Sequence, residues 1–562
     1  MLKKIFYISG TLLLSVSIVW EYKVNILIWS IPKIAYFTMP IKENIPTNWS
    51  SGPSEIQKRT DERPNIILIL ADDMGYNDIS AHNGGAADGS LKTPHIDSLA
   101  NSGILFSRGY AANATCAPSR ASIMTGKYPT RFGYEFTPVP ATGRLIMQWL
   151  ADEDDEELKA RIDREVATNI PPYMEQGMPT EQITVAEILR DAGYYTAHIG
   201  KWHLGNAYGM DPLSQGFQDS LQMLGPLYLP EDHPDVVNAK FNTRIDRMIW
   251  GLGQYSANFN GGDRFKPDKY LTDYYTDEAL KVIENNKNRP FFLYLSHWAI
   301  HNPLQALRSD VEQMSHMHSH NLQVYSGMIA ALDRSVGKVV QKLKDLDIYG
   351  KTLIIFTSDN GGANYIELED INKPYRGWKI SFFEGGIRVP YIVSWPEQID
   401  PGQKSESTVH HFDILPTITS AAGIKSPIET NLDGVNLLPY IKKEVDTQPH
   451  KTLFWRSGNH QSVLHEDWKY IVSKKENFRW LFDTSVDQEE KNNVIDSYPE
   501  KAKLLEELLT KFNSEQKDPL FPSAYEVSTM IDKYDGQEYQ EGDEYIYCCL
   551  LYTSPSPRDL QG

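Results

Sequence analysis

Four short runs of strand-forming, largely apolar residues constrain this chain more than anything else in it: residues 66–70 (IILIL), 194–199, 291–295 (FFLYL) and 352–356 (TLIIF). A half-exposed strand alternates apolar and polar residues, whereas a strand covered on both faces of a parallel sheet does not. Helix signals lie between the runs. Thr93-Pro94 opens a helix that Gly103 stops, Thr184-Val185-Ala186-Glu187 is a capping box closed at Gly193, and residues 324–346 read as a long helix. Strands alternating with helices predict an α/β fold with a mainly parallel central sheet sandwiched by helices. The pattern changes after Asp433-Gly434. Residues 452–457, 462–472 and 480–483 read as short antiparallel strands and 499–513 as a helix. The expected division is a main body at 64–445 and a smaller C-terminal antiparallel-sheet subdomain at 446–535. Residues 217–266, rich in Asp, Asn and Gly, read as loops near a substrate entrance.

Each run ends in polar residues. Asp72-Asp73 follow the first, Lys201 and His203 the second, His297 and His301 the third, Asp359-Asn360 the fourth. In an open parallel sheet the carboxyl ends of the strands line one crevice, and ligands bind there. Asp72, Asp73, Asp359 and Asn360 are hard oxygen donors of net negative charge, which suits Ca²⁺ or Mg²⁺. Taken singly, Asp-Asp after a strand is a turn or cap, and Asp-Asn-Gly is ordinary turn chemistry. Joint placement gives them meaning. Arg120, Lys201, His203 and Lys379 could hold a tetrahedral anion and its developing charge. His316, His318 and His320 alternate in a way that suits a polar loop.

The remaining cluster is Cys116-Ala117-Pro118-Ser119-Arg120, running on to Thr125-Gly126. Pro118 suits a first helical turn, which would turn free N–H groups and a positive dipole end toward the thiol. A lone cysteine is ordinarily a small buried apolar residue. Here the whole cluster resembles the C-x-P-S-R signature of the type I sulfatases, of the alkaline phosphatase superfamily. The likeness extends over about residues 65–483, through NIILILADDMG at Asn65, GKWHLG at Gly200, HNPLQ at His301, TSDNG at Thr357 and EGGIRVP at Glu384.

The resemblance implies an enzyme that hydrolyses sulfate esters to alcohol and sulfate. Cys116 would be oxidised to formylglycine by a formylglycine-generating enzyme, and its hydrated aldehyde would be the nucleophile. Asp72, Asp73, Asp359, Asn360 and the modified Cys116 would bind the metal, usually Ca²⁺, with Mg²⁺ the alternative. Arg120 would steady the hydrate, and His203 would hydrogen-bond its second hydroxyl. Lys201, Lys379 and His301 would contact the sulfate, with His301 donating a proton to the leaving alcohol. The substrate would be a sulfated small molecule or a sulfated glycan. The acidic stretch at 144–174 reads as a solvated helical insertion relative to the family pattern. Competing readings are a phosphate or phosphonate monoester hydrolase, which usually has a Ser or Thr nucleophile, and a catalytically inactive binding homologue. A membrane-embedded phosphoethanolamine transferase needs several spanning segments, which the sequence lacks.

Composition narrows the partners. With 55 basic against 74 acidic residues, a net charge of −19 argues against nucleic-acid binding. Lys3-Lys4 and the apolar residues 5–20 read as an export signal, or an anchor giving N-terminal membrane contact, within a segment at 1–40. The body is expected outside the cytoplasm, as a periplasmic, secreted or membrane-anchored protein. A linker is expected at 41–63. Three cysteines, at 116, 548 and 549, give no disulfide framework. Residues 549–562 resemble translated sequencing adapter and are set aside from the fold.

Overall fold

The computed structural model describes residues 26, 30, 40–54, 63–139, 143, 144, 149, 158–424 and 431–549. A nine-stranded sheet runs through the body in the order Gln403–His410, Ile104–Tyr110, Tyr391–Ser394, Thr352–Ser358, Asn65–Ala71, Phe291–Ser296, Tyr195–Gly200, Asp219–Met223, Ala257–Phe259. The five strands from Thr352–Ser358 to Asp219–Met223 are mutually parallel. Tyr391–Ser394 and Ala257–Phe259 run against their neighbours.

The unbroken apolar character of the Asn65 strand follows from its place at the centre. Ile67 and Ile69 join the core on one face, and Ile66, Leu68 and Leu70 the core on the other. Every residue from Asn65 to Ala71 is buried. Helices cover both faces. Among them are Leu271–Asn286 and the long His320–Asp345, which extends the helix read at 324–346 by four residues at its start. The Thr184 capping box forms as the sequence indicates: Thr184 Oγ1 accepts from Glu187 N–H, and Glu187 Oε2 accepts from Thr184 N–H.

The C-terminal part is a four-stranded antiparallel sheet, Thr452–Ser457, His460–His465, Trp468–Ser473 and Phe478–Asp483, followed by helix Pro499–Ser514. It is joined to the body by a buried ion network. Lys469 on the third of these strands, fully enclosed, lies 2.7 Å from Glu384 Oε1 and 2.8 Å from Glu490 Oε1. Glu384 also accepts from Tyr110 Oη and Arg388 Nη1. Burial opposes the Glu384 charge, but Lys469 and Arg388 prevail and hold it at about 2, while burial pushes Glu490 up to about 7.

Three readings are corrected. Residues 217–266 contain strands Asp219–Met223, Val236–Ala239 and Ala257–Phe259 and helix Arg244–Leu252. These elements are short, and partner strands rather than an apolar run stabilise them. The stretch at 462–472 is two strands folded back at Glu466-Asp467, because cross-strand pairing continues the alternation on both sides of the turn. Within the expected linker, Trp49 is buried and its indole N–H donates to Glu278 at 2.6 Å. Residues 40–54 therefore pack on the body. Among the described residues no helix is long and apolar enough to cross a membrane. The N-terminal apolar run, the acidic residues 152–157 and the tail at 550–562 lie outside the described residues.

Asp78, in the turn after the Asn65 strand, supplies a pH-dependent term. It is wholly buried, accepts from Tyr325 Oη and Gly75 N–H, and burial pushes its pKa up to about 8. The native state thus keeps a proton that the unfolded chain releases near pH 4, so stability falls as pH rises between these values. The expected slope is about 1 kcal/mol per pH unit. Asp78→Asn should flatten it, read as Tm against pH from 5 to 9. Equal slopes in the two proteins would refute the assignment.

Candidate active site

The four polar strand ends meet at one edge of the sheet, and the Cys116 helix delivers the thiol to them. Helix Cys116–Thr125 begins after Thr115, with Pro118 in its first turn and Gly126, at φ 67°, closing it. Ser119 shapes the entry. Its hydroxyl donates to Asn113 C=O at 2.8 Å and accepts from Asn113 N–H at 3.0 Å, which pins the turn ahead of Cys116. Cys116 Sγ then lies 3.5 Å from Asp72 Oδ1 and 3.7 Å from Asp73 Oδ1. Burial, with Asp359 adding to it, pushes the thiol pKa well up, so unmodified Cys116 is a neutral thiol and a poor nucleophile.

Arg120, one turn along the helix, is the hub. Its Nε donates to Asp359 Oδ2 at 2.9 Å, Nη2 to Asp72 Oδ2 at 2.9 Å, and Nη1 to the carbonyl of Lys201 at 2.9 Å and to Ser296 Oγ. One guanidinium thereby ties together all four strand ends. Arg120, Asp72 and Asp359 have no exposed side-chain surface.

The second acidic position has its own partners. Lys379 Nζ is 2.7 Å from Asp73 Oδ2, Asn360 Nδ2 donates to Asp73 Oδ1 at 2.8 Å, and Tyr365 Oη donates to Asp73 Oδ2 at 3.1 Å. Lys201 Nζ lies 2.7 Å from Asp72 Oδ2. Burial and the neighbouring Asp359 push Asp72 up to about 7 against the pull of Lys201 and Arg120. Such crowding of carboxylates is what a divalent cation relieves.

Asp72, Asp73, Cys116 and His301 each bring one ligand atom within 4.8 Å of the others. Asp359 Oδ1 accepts from Asp73 N–H at 3.2 Å, and Asn360 Oδ1 is buried without a hydrogen-bond partner. An orphaned amide oxygen beside three carboxylates is the donor chemistry of a hard-cation site.

Of the two histidines after the Phe291 strand, only His301 joins the cluster. His297 Nε2 pairs with Ser335 Oγ at 3.0 Å, on the long helix. His301 Nδ1–H donates to Asn302 C=O at 2.6 Å, which leaves Nε2 unprotonated when the ring is neutral, 3.3 Å from Lys379 Nζ and 3.4 Å from Asp73 Oδ2. Burial, then Lys379 and Lys201, push its pKa well below the usual histidine value. His203 is likewise held neutral by burial and Lys201, and its Nδ1 is buried without a partner. Its backbone is left-handed, φ 64°, as is that of Asp73, φ 58°. Non-glycine residues in this region store strain, and strain collects at working sites.

Three side chains that sequence reasoning passed over belong here. Ser296 and Tyr365 supply the contacts given above. Trp298 stacks on His301 at 4.0 Å between centroids, and Lys201 Nζ lies 4.5 Å from its ring centre. Trp298 sits in the segment between His297 and His301 and was within reach. Nothing in the sequence around Tyr365 marked it.

A cysteine at a helix N-terminus, three carboxylates with a side-chain amide, and a group of buried cations form a cluster whose donors could hold a metal at the end of a parallel sheet. The sulfatase family profile matches residues 64–424, and that of the N-sulphoglucosamine sulphohydrolase C-terminal region matches residues 377–518. The chain belongs to the sulfatase family and is a sulfate ester hydrolase. It is 33% identical to the N-acetylgalactosamine-6-sulfatase of Mus musculus over 70% of this chain and 69% of that protein. It is 27% identical to the N-acetylgalactosamine-6-O-sulfatase of Bacteroides thetaiotaomicron over 80% and 93%. Among solved structures, Ps i-CgsB in complex with k-i-k-neocarrahexaose aligns with a TM-score of 0.66 at 29% identity, over 82% of this chain and 94% of that one.

Proposed function

We propose that this sulfatase works through formylglycine made from Cys116 and a bound Ca²⁺, on a sulfated carbohydrate, outside the cytoplasm. The observation that carries the reading is the seat of Cys116. Its sulfur lies within 3.7 Å of both Asp72 and Asp73, beside Arg120, Lys201 and Lys379, in a setting that suppresses the thiolate. Formylglycine would supply, as its hydrate, an oxygen nucleophile where the thiol cannot act. Asp72, Asp73, Asp359 and Asn360 would hold the metal, whose Lewis acidity would favour the ionised hydroxyl.

The remaining roles fall to the chain's own groups. Arg120 orients Asp72 and Asp359 by donating to a carboxylate oxygen of each. Lys201 and Lys379 hold the negative charge of the sulfate as it moves through the transition state. His203 offers a ring nitrogen with no other partner to a hydroxyl of the modified residue. His301 is assigned proton donation to the leaving oxygen, which requires Nε2, empty in the neutral ring, to take up a proton once the anionic ester lies beside it. Its Nδ1 is committed to Asn302 C=O, so only Nε2, beside Lys379, can exchange a proton within the site. Such help contributes about 10²–10⁴ in rate. A cysteine where phosphate hydrolases carry Ser or Thr favours sulfate over phosphate.

The sulfated-carbohydrate reading is supported by the names of the relatives. A glycan substrate and the N-terminal apolar run support export, with the formylglycine-generating enzyme as the partner that prepares Cys116. Peptide mass spectrometry of active protein should find formylglycine at position 116. Chelation should remove activity on sulfated sugars, and Ca²⁺ should restore it. A fully active preparation carrying only thiol, or full activity after chelation, would refute the reading.

A further inference from the structure

Beside Lys201 and His203 lies a partly open cavity walled by Tyr173, Met174, Asn206 and Gln222. We infer that it is the seat of the sugar residue that carries the ester, and that it selects a residue with no second charged group. The inference rests on the sulfatase reading, because Lys201 is taken there to hold the ester sulfate. The alcohol side of the substrate that lies over Lys201 then enters this cavity.

The chemistry of the walls narrows that alcohol. Among the described lining residues Lys201 is the only Lys, Arg, Asp or Glu, and its Nζ already lies 2.7 Å from Asp72 Oδ2. Among the described residues no lining cation is left over for a second sulfate or a uronate carboxylate, and burying one there unpaired is costly. The walls do offer side-chain amides. Gln222 Nε2 donates to Asn206 Oδ1. That bond orients both groups and leaves Asn206 with its N–H₂ donor and Gln222 with its carbonyl acceptor. A donor beside an acceptor matches neighbouring sugar hydroxyls, each of which both donates and accepts. Tyr173 and Met174 add an aromatic and a thioether surface suited to the C–H face of a pyranose ring. An aryl or steroid alcohol would cover the same surface but leave the amides unpaired.

The wall is also preformed. Gln176 is buried, accepts from Val139 N–H at 2.9 Å, donates to Pro171 C=O at 2.8 Å, and its backbone N–H donates to Tyr173 C=O at 3.0 Å. The turn that carries Tyr173 and Met174 is thereby tied to the segment before residue 140. Preorganisation of this kind favours selection among sugars over general adhesion.

The test compares wild type with Asn206→Ala, Gln222→Leu and Tyr173→Ala. Substrates are galactose and N-acetylgalactosamine sulfated at O4, at O6 or at both, with 4-nitrophenyl sulfate as the sugar-free ester. Wild type should prefer a monosulfated sugar to the disulfated one by about tenfold or more in kcat/KM. In each variant the ratio of kcat/KM for the best monosulfated sugar to that for 4-nitrophenyl sulfate should fall, by about 30-fold for the amide positions. Gln222→Arg should narrow the gap between mono- and disulfated sugars. Unchanged ratios in all three variants, equal wild-type handling of mono- and disulfated sugars, or wild-type cleavage of the aryl ester alone would overturn the inference while leaving the sulfatase reading intact. Wild type that cleaves none of these esters with formylglycine present would overturn both.

Discussion

Replacing Cys116 by alanine is expected to abolish turnover, a loss on the order of 10⁶ in kcat, as for removal of other enzymic nucleophiles. Replacing it by serine is expected to give a different failure. The serine hydroxyl would occupy about the position of Sγ, close to Asp72 and Asp73 and beside the cations proposed to hold the sulfate. The serine oxygen can bond to sulfur as the sulfur–oxygen bond to the alcohol breaks. The alcohol leaves with a proton, and sulfate stays esterified to residue 116. Serine carries no second hydroxyl through which the ester could collapse, so the variant should stop after at most one turnover. Mass spectrometry of the Cys116→Ser protein after exposure to substrate should find the sulfated peptide, and Cys116→Ala should show none. Sustained turnover by the serine variant near the wild-type rate would mean that water cleaves the ester directly.

The second large effect concerns Arg120. Arg120→Met keeps much of the side-chain volume but leaves Asp72 and Asp359 buried without their shared guanidinium. Removing one partner from a buried ion pair costs about 3–5 kcal/mol, which corresponds to roughly 3–4 °C in Tm for a chain of this length. Activity should vanish along with it, because the same carboxylates are assigned to the metal. Ca²⁺ should recover part of the lost Tm, since a divalent ion can neutralise the same two groups. Thermal scans with and without Ca²⁺ decide the matter. An unchanged Tm would show that Arg120 does not compensate these charges.

Much of this arrangement could be read directly from the chain, for a definite reason. Strands such as 66–70 and 291–295 are buried on both faces, so burial writes itself into an unbroken apolar run, and the polar residues beyond each run must then lie at one sheet edge. Where stability comes from a partner instead, the text is silent. Asp219–Met223 is five residues long and pairs with two other strands, yet its own letters, DSLQM, carry no period that points to a strand. The choice of His301 over His297 came from the resemblance alone, since both follow the same strand. It is decided by Ser335, on another helix, which takes His297 away. Arg120 was legible as a cation but not as the knot joining four strand ends, because its partners come from positions 72, 201, 296 and 359.

The enclosed Lys469 has a consequence for how this protein can be taken apart. Its ammonium comes from the C-terminal sheet, while Glu384 and the arginine that also contacts it, Arg388, come from the body. A backbone cut between the body and that sheet, for instance near residue 446, would sever one covalent link and leave this contact whole. Separating the two pieces would expose an apolar interface and unpair a buried ammonium at the same moment. The fragments should therefore elute together as one particle until denaturant is added. A clone ending at residue 445 would instead leave Glu384 without its lysine, two residues before Gly386, whose carbonyl accepts from Gly361 N–H beside Asp359 and Asn360.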